Sequence, residues 1–140
     1  MREAHVRLFQ DDDEAGVVAL WSSVFPDDPP WNDPRAVLTR LRRVPSAVVV
    51  VAATDERIVG TVIAGWDGHR GWIYHLAVAP ELRRRGLGRQ LMDEAEDRLR
   101  ALGCPKINLQ VRAENVAAVT FYERLGYAVE ARVSLGKRLG

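Results

Sequence analysis

Polar and apolar positions alternate over residues 3–9, "EAHVRLF", the two-residue period of a half-buried strand. The period then lengthens. In "DDDEAGVVALWSSVF" the residues Val17, Leu20, Trp21 and Val24 fall on one helical face, behind an acidic opening that suits the positive end of the helix dipole. "PDDPPWNDP" breaks this helix. Asp33 then has the form of an N-cap, with Pro34 at the first position of a second helix to about Arg43. "SAVVVVAAT" and "RIVGTVIAGW" read as strands joined by a turn around Asp55, and "DGHRG" turns into a further strand, "WIYHLAV", ahead of Pro80. Across residues 88–102, Leu91, Met92, Ala95, Leu99 and Leu102 recur at helical spacing, with Glu94–Arg98 and Glu96–Arg100 as supporting pairs and Gly103 and Pro105 as the stop. "KINLQV" reads as a strand, residues 115–125 as a helix ended by Gly126, and "YAVEARVSLGKRL" as a last strand or strand pair. The order βααβββαβαβ(β) predicts one α/β domain over residues 1–140, a mixed sheet with helices on both faces.

Composition narrows the function. With 20 basic and 19 acidic side chains the net charge is only +1, against a general nucleic-acid binder. Of the basic residues 18 are Arg and 2 are Lys, so their clustering matters more than their sum. The single cysteine, Cys104, forms no internal disulfide or Cys-rich zinc site and reads as a packed thiol. His5 and His69 are too scattered to suggest a metal. "MREAHVRLFQDDDE" lacks the apolar core of a signal peptide, and no run approaches the ~20 apolar residues of a membrane span. A cytoplasmic protein is expected.

The unusual stretch is "LRRRGLGRQL", Leu82 to Leu91, where three arginines run into two glycines between a strand and a helix. Glycines there let the backbone adopt positive φ, and the first helical turn offers unpaired N–H groups and the positive end of its dipole. Such a nest suits a phosphate or pyrophosphate, and a bound polyanion relieves repulsion among the arginines. A P-loop is excluded because no Lys-Ser/Thr pair follows, and the dinucleotide fingerprint lacks its third glycine. A solvated basic turn before a helix is the plainer alternative.

These residues carry a resemblance. Arg83-Arg84-Arg85-Gly86-Leu87-Gly88 is similar to the [Q/R]-x-x-G-x-[G/A] loop of the GNAT superfamily of N-acetyltransferases, and "NVAAVTFYERLGY" resembles that family's N-x-x-A-x-x-[F/L]-Y-x-x-x-G-[F/Y] segment. "PWNDP", "DGHRG", "GCPKI" and "SLGKRL" look most like the small bacterial YpeA-type acetyltransferases. The resemblance implies a splayed mixed sheet and acetyl-coenzyme A as cosubstrate. It implies that N–H groups from Arg84 to Arg89 hold the pyrophosphate, with Arg83, Arg84, Arg85 and Arg89 screening its charge around Gly86, Leu87 and Gly88. Leu76, Ala77 and Val78 would lie along the pantetheine arm, an N–H near Val78 polarising the thioester carbonyl. Asn115 would hydrogen-bond the pantetheine and Tyr122 would protonate the departing thiolate. From the residues alone, Asn115 is also a good helix N-cap, and Tyr122 joins Ala118, Phe121 and Leu125 on one helical face as a core aromatic, a place compatible with presenting its hydroxyl to a cofactor.

The general base is less legible. An alkylamine with pKa near 10.4 is only about 0.04% neutral at pH 7, so a base or desolvation must assist attack. Many family members place a carboxylate at strand positions that here read Tyr74, His75 and Gln110. His75 alone has a suitable pKa, and a regular strand would point it opposite to Tyr74, leaving one of the two to face the cleft. A structural histidine is the alternative, and Glu114 a weaker candidate. "PWNDP" either borders the acceptor or serves as a lid, turn and cap. The reading is an N-acetyltransferase acting on a small-molecule or peptide amine by direct transfer, with a non-catalytic acyl-coenzyme A sensor as its alternative. A homodimer through the C-terminal strand or an exposed sheet edge is compatible with the pattern.

Overall fold

The computed structural model describes residues 3–140, in two compact units that part after Leu109. The first unit holds β1 (His5–Leu8), α1 (Glu14–Val24), α2 (Pro34–Leu41), β2 (Ala47–Ala53), β3 (Ile58–Trp66), β4 (Gly71–Val78), α3 (Leu87–Ala101) and β5 (Ile107–Leu109). The strands form one sheet in chain order, antiparallel from β1 to β4 and parallel between β4 and β5. No helix among the described residues is long and apolar enough to cross a membrane.

Neighbouring residues of β3 show how the sheet is sandwiched. A Cβ on Gly60 would lie 2.9 Å from the Leu91 side chain of α3, so the missing side chain lets α3 approach. Thr61, one residue on and therefore on the opposite face, accepts a hydrogen bond at 2.8 Å from Trp21 Nε1 of α1. Leu91, Met92, Ala95 and Leu99 of α3 are wholly buried, as are Val17 and, nearly so, Trp21 of α1. Complete burial of each large side chain contributes about 1.5–3 kcal/mol. Asp33 does cap α2, its Oδ2 accepting from Ala36 N–H at 3.1 Å, and Pro34 takes the first helical position. The acidic opening of α1 is more than a dipole partner: Asp13, in a 3-10 turn before the helix, is almost buried and receives both Arg7 guanidinium nitrogens at 2.7 and 3.0 Å.

Two features shape the edge of β4. Its register with β3 runs Ile63↔Tyr74 and then Thr61↔Ala77, so β4 carries one extra residue, a bulge centred on His75 and Leu76. Its pairing with β5 ends at Ile73↔Leu109, and beyond it the described residues show no ladder on that side of β4.

The second unit, 110–140, contains α4 (Val116–Arg124). Asn115 Oδ1 caps it by accepting from Ala118 N–H at 3.1 Å. A left-handed Gly126 ends it, with Tyr127 N–H donating to Tyr122 O and Gly126 N–H to Glu123 O, both at 3.0 Å, the paired bonds of a Schellman stop. The expected strand or strand pair in "YAVEARVSLGKRL" does not form: no strand follows Leu109 among the described residues. Alternation marks a chain suited to a ladder, but a ladder also needs a partner's N–H and C=O groups. Val129, Val133, Leu135 and Leu139 instead stay 76–94% exposed.

Candidate active site

The arginine–glycine stretch is built as a backbone site. Arg84 and Gly86 both adopt left-handed conformations, φ 66° and 80°. A side chain on Gly86 would meet nothing within 4 Å, so its glycine answers to φ rather than to space. The first intrahelical bond of α3 is Gln90 N–H to Gly86 O, at 3.0 Å. The N–H groups of Leu87, Gly88 and Arg89 therefore open at the helix end without an acceptor in the helix. Leu87 is buried and pins this turn to the core, while Arg83, Arg84, Arg85 and Arg89 are exposed. Arg83 Nε donates to Val78 O at 3.2 Å, tying the loop back to β4.

That contact fits the ladder. Ala79 N–H donates to Val59 O at 2.8 Å, and antiparallel pairs alternate in their bonding, so Val78, opposite Gly60, turns its own N–H and C=O away from β3. They face the side on which the β4–β5 ladder has already ended.

His75 occupies the bulge with φ 52°, a conformation that costs an ordinary residue roughly 1–2 kcal/mol. Four contacts surround it there. Its carbonyl accepts from Thr61 Oγ1 at 2.9 Å, and Thr61 in turn accepts from Trp21, a short buried chain of hydrogen bonds. Its ring packs 4.7 Å from the Trp21 ring and 5.1 Å from that of Phe25. Its Nε2 lies 3.8 Å from Asp28 Oδ2. Burial lowers the imidazole pKa, with the Asp28 carboxylate opposing.

The expectation that His75 and Tyr74 point to opposite faces is overturned. Tyr74 sits opposite Ile63 and so shares the α1 face with Thr61, and the bulge swings His75 onto that face as well. Tyr74 remains half exposed, its hydroxyl pKa raised by burial and by Asp67. Together His75, Trp21, Phe25, Asp28, Asn32 and Asp33 line a cavity of about 230 Å³ with Pro26, Pro29 and Pro30 of the α1–α2 connection and Pro34 at the start of α2. Asp28 escaped sequence reasoning. It lies in a stretch that reads as a helix break, and only the bulge on β4, distant in sequence, gives it a partner.

In the second unit the Tyr122 ring packs against Phe121 and Tyr127, with centroids 5.1 and 5.8 Å away. Burial pushes its hydroxyl up to about 12. The described residues contain no cluster of His, Cys, Asp and Glu that could hold a metal.

The acetyltransferase (GNAT) family model matches residues 6–127. An uncharacterized N-acetyltransferase of Yersinia pestis is 41% identical over 134 residues, covering 96% of this chain and 94% of that protein. An acetyltransferase of Pectobacterium atrosepticum shows the same identity and coverage. Among solved structures, the aminoglycoside N-acetyltransferase AAC(6')-Iy in complex with CoA superposes with a TM-score of 0.85 at 17% identity, over 99% of this chain and 96% of that one. Glucosamine-6-phosphate N-acetyltransferase from Arabidopsis thaliana superposes at 0.76 and 18%, over 98% and 99%. At such identities the likeness to these structures speaks for the fold.

Proposed function

The chain belongs to the acetyltransferase (GNAT) family and is an acetyltransferase; on that premise we propose that it acetylates a primary amine from acetyl-coenzyme A, by direct attack within a ternary complex. The observation that carries this reading is the pair of left-handed residues, Arg84 and Gly86, in the loop that leads from the unladdered edge of β4, by a 3-10 turn, into α3. Acetyl-coenzyme A supplies a thioester in which a C–N bond to the amine replaces the C–S bond, and coenzyme A leaves as the thiol.

The chain's residues then divide the work. N–H groups between Arg84 and Arg89 bind the pyrophosphate at the positive end of α3, and the exposed arginines screen it. The outward N–H of Val78 polarises the thioester carbonyl, with the main chain of Leu76 and Ala77 alongside the pantetheine. Asn115 offers its amide NH2 to the same arm while its carbonyl caps α4. Tyr122 stays protonated at neutral pH, as a donor to the departing thiolate must.

His75 is the base. Its lowered pKa keeps the imidazole neutral at pH 7 and able to accept a proton, and Asp28 stabilises the imidazolium that forms. An alkylammonium loses two protons in becoming an amide; one ends on the thiol and the other passes through the base to solvent. Residues 1–140 act in this reading as one catalytic domain.

Isothermal titration tests the cosubstrate half. Acetyl-coenzyme A should bind in the micromolar range, and Gly86→Glu, folded by circular dichroism, should lose that binding. Absence of binding to folded wild type would sink the assignment.

A further inference from the structure

We propose that Trp21 and Thr61 are positioning residues for acyl transfer: their buried hydrogen-bond chain, ending on the His75 carbonyl, clamps the His75 imidazole in the place from which it takes the proton of the amine. That role deepens the acyl-transfer reading and rests on it; the clamp on the ring rests on the contacts alone.

A hydroxyl at residue 61 needs a reason. Thr61 is the only hydroxyl, amide or charged side chain among the described residues that is wholly shut from solvent. It sits within β3 beside the equally buried Val62, and its backbone already pairs with Ala77 in the ladder. Valine has the same shape and would fill the position without burying a polar group. The hydroxyl therefore answers to its two partners, on α1 and on β4.

Those partners give the chain one direction. An indole N–H only donates, a carbonyl only accepts, and a threonine hydroxyl carries a single proton. Trp21 Nε1 donates to Thr61 Oγ1 at 2.8 Å, so Thr61 gives its own proton to His75 O at 2.9 Å. No second arrangement satisfies all three groups. Removing the hydroxyl frees both ends at once.

The residue at the end of the chain is strained. His75 holds φ 52°, a conformation that persists only where its surroundings over-determine it. Trp21 reaches His75 twice, through Thr61 to the carbonyl and with its own ring 4.7 Å from the imidazole. One side chain of α1 thus fixes both the backbone and the ring of the bulge residue. Phe25 and Asp28 meet the ring, at 5.1 Å between centroids and at 3.8 Å from Nε2. Relaxation of that φ would turn Cβ, and the ring with it, away from Trp21 and Asp28. A misplacement on the order of 1 Å can cost a reaction on the order of 10²-fold.

The test is a double-mutant cycle on the full-length protein with acetyl-coenzyme A and butylamine, a plain primary amine, read beside the His75 ring signals by NMR. Thr61→Val should lower kcat about tenfold without moving the KM for acetyl-coenzyme A. It should also shift the His75 ring protons out of the ring currents of Trp21 and Phe25. Thr61→Ser, which keeps the hydroxyl, should restore both kcat and the shifts. In a His75→Gln background, Thr61→Val should cost less than about twofold, because the group it positions is gone. A merely structural threonine would cost the same factor in either background. Trp21→Phe keeps an aromatic ring and drops the N–H; as a second variant it should lower kcat roughly threefold, again only where His75 is present. Equal losses in both backgrounds, a loss that Thr61→Ser does not restore, His75 signals unmoved in folded Thr61→Val, or full activity in His75→Gln would each overturn the proposal. The transfer reading is judged on wild type: no turnover there would sink that reading, while the His75 signals would still decide the clamp.

Discussion

The two sites flanking the end of β4 are made in opposite ways. The arginine loop is backbone: left-handed Arg84 and Gly86, three N–H groups at a helix end, and exposed positive side chains. The cavity at the bulge is side chains: His75, Asp28, Trp21 and Phe25, largely shielded, with the charge of the opposite sign. A backbone site depends on φ, ψ and local sequence, and it tolerates side-chain change outside its glycines. A side-chain site depends on residues 47 to 54 positions away from His75 arriving beside it, and a single lost hydrogen bond can loosen it.

The largest effect that would separate the two is at Gly86. Gly86→Val places a β-branched residue at φ 80° and should cut acetyl-coenzyme A affinity at least about 100-fold, a conformational penalty added to lost N–H alignment. The His75 ring signals at the bulge should be untouched, as NMR of the free protein would show. Lost affinity together with displaced ring signals would mean that the two sites are one.

His75→Gln should leave acetyl-coenzyme A affinity in place and lower kcat by roughly 10²-fold, the usual contribution of a positioned base. The pH dependence has a defined sign. The base acts when deprotonated, and burial lowers its pKa, so kcat/KM should hold at neutral pH and fall only below the ordinary histidine value of about 6.5. Stability follows the same direction. Below that value the unfolded chain binds a proton that the folded ring resists, so His75's contribution is present above about pH 6.5 and is lost as pH falls through the folded pKa. An acidic limb at or above the ordinary value would break the assignment.

Thr61→Val should cost about 1–3 kcal/mol by leaving Trp21 Nε1 buried without its acceptor and freeing the His75 carbonyl, seen as a lower denaturation midpoint. It should also reduce kcat while leaving the KM for acetyl-coenzyme A unchanged, and Thr61→Ser should restore both. At the small end, Glu94→Gln removes the partly exposed i,i+4 pair with Arg98 and should change stability by no more than about 0.5 kcal/mol.

The same contrast explains what the sequence disclosed. The arginine loop was legible because glycine, helix start and charge all sit within ten residues. The helix faces were legible too, since Val17, Leu20 and Trp21 on α1 and Leu91 to Leu99 on α3 follow a period that local geometry sets. Asp33 and Asn115 capped as read. The bulge was not legible, because nothing in "WIYHLAV" says that β3 will meet it one residue short, and with the bulge hidden the faces of Tyr74 and His75 and the partnership with Asp28 stayed hidden as well. The final segment erred in the other direction: its alternation promised a strand, and pairing, which sequence alone does not supply, was missing.

The most direct test is a single reaction: wild-type protein with acetyl-coenzyme A and butylamine, followed for free thiol and, by mass spectrometry, for N-acetylbutylamine. Thiol and N-acetyl product should appear in equal amounts, with both abolished in Gly86→Val and both reduced about 10²-fold in His75→Gln. Thiol release without N-acetyl product, or no turnover by protein that binds both ligands, would contradict amine acetylation and return the chain to an acyl-coenzyme A-binding role.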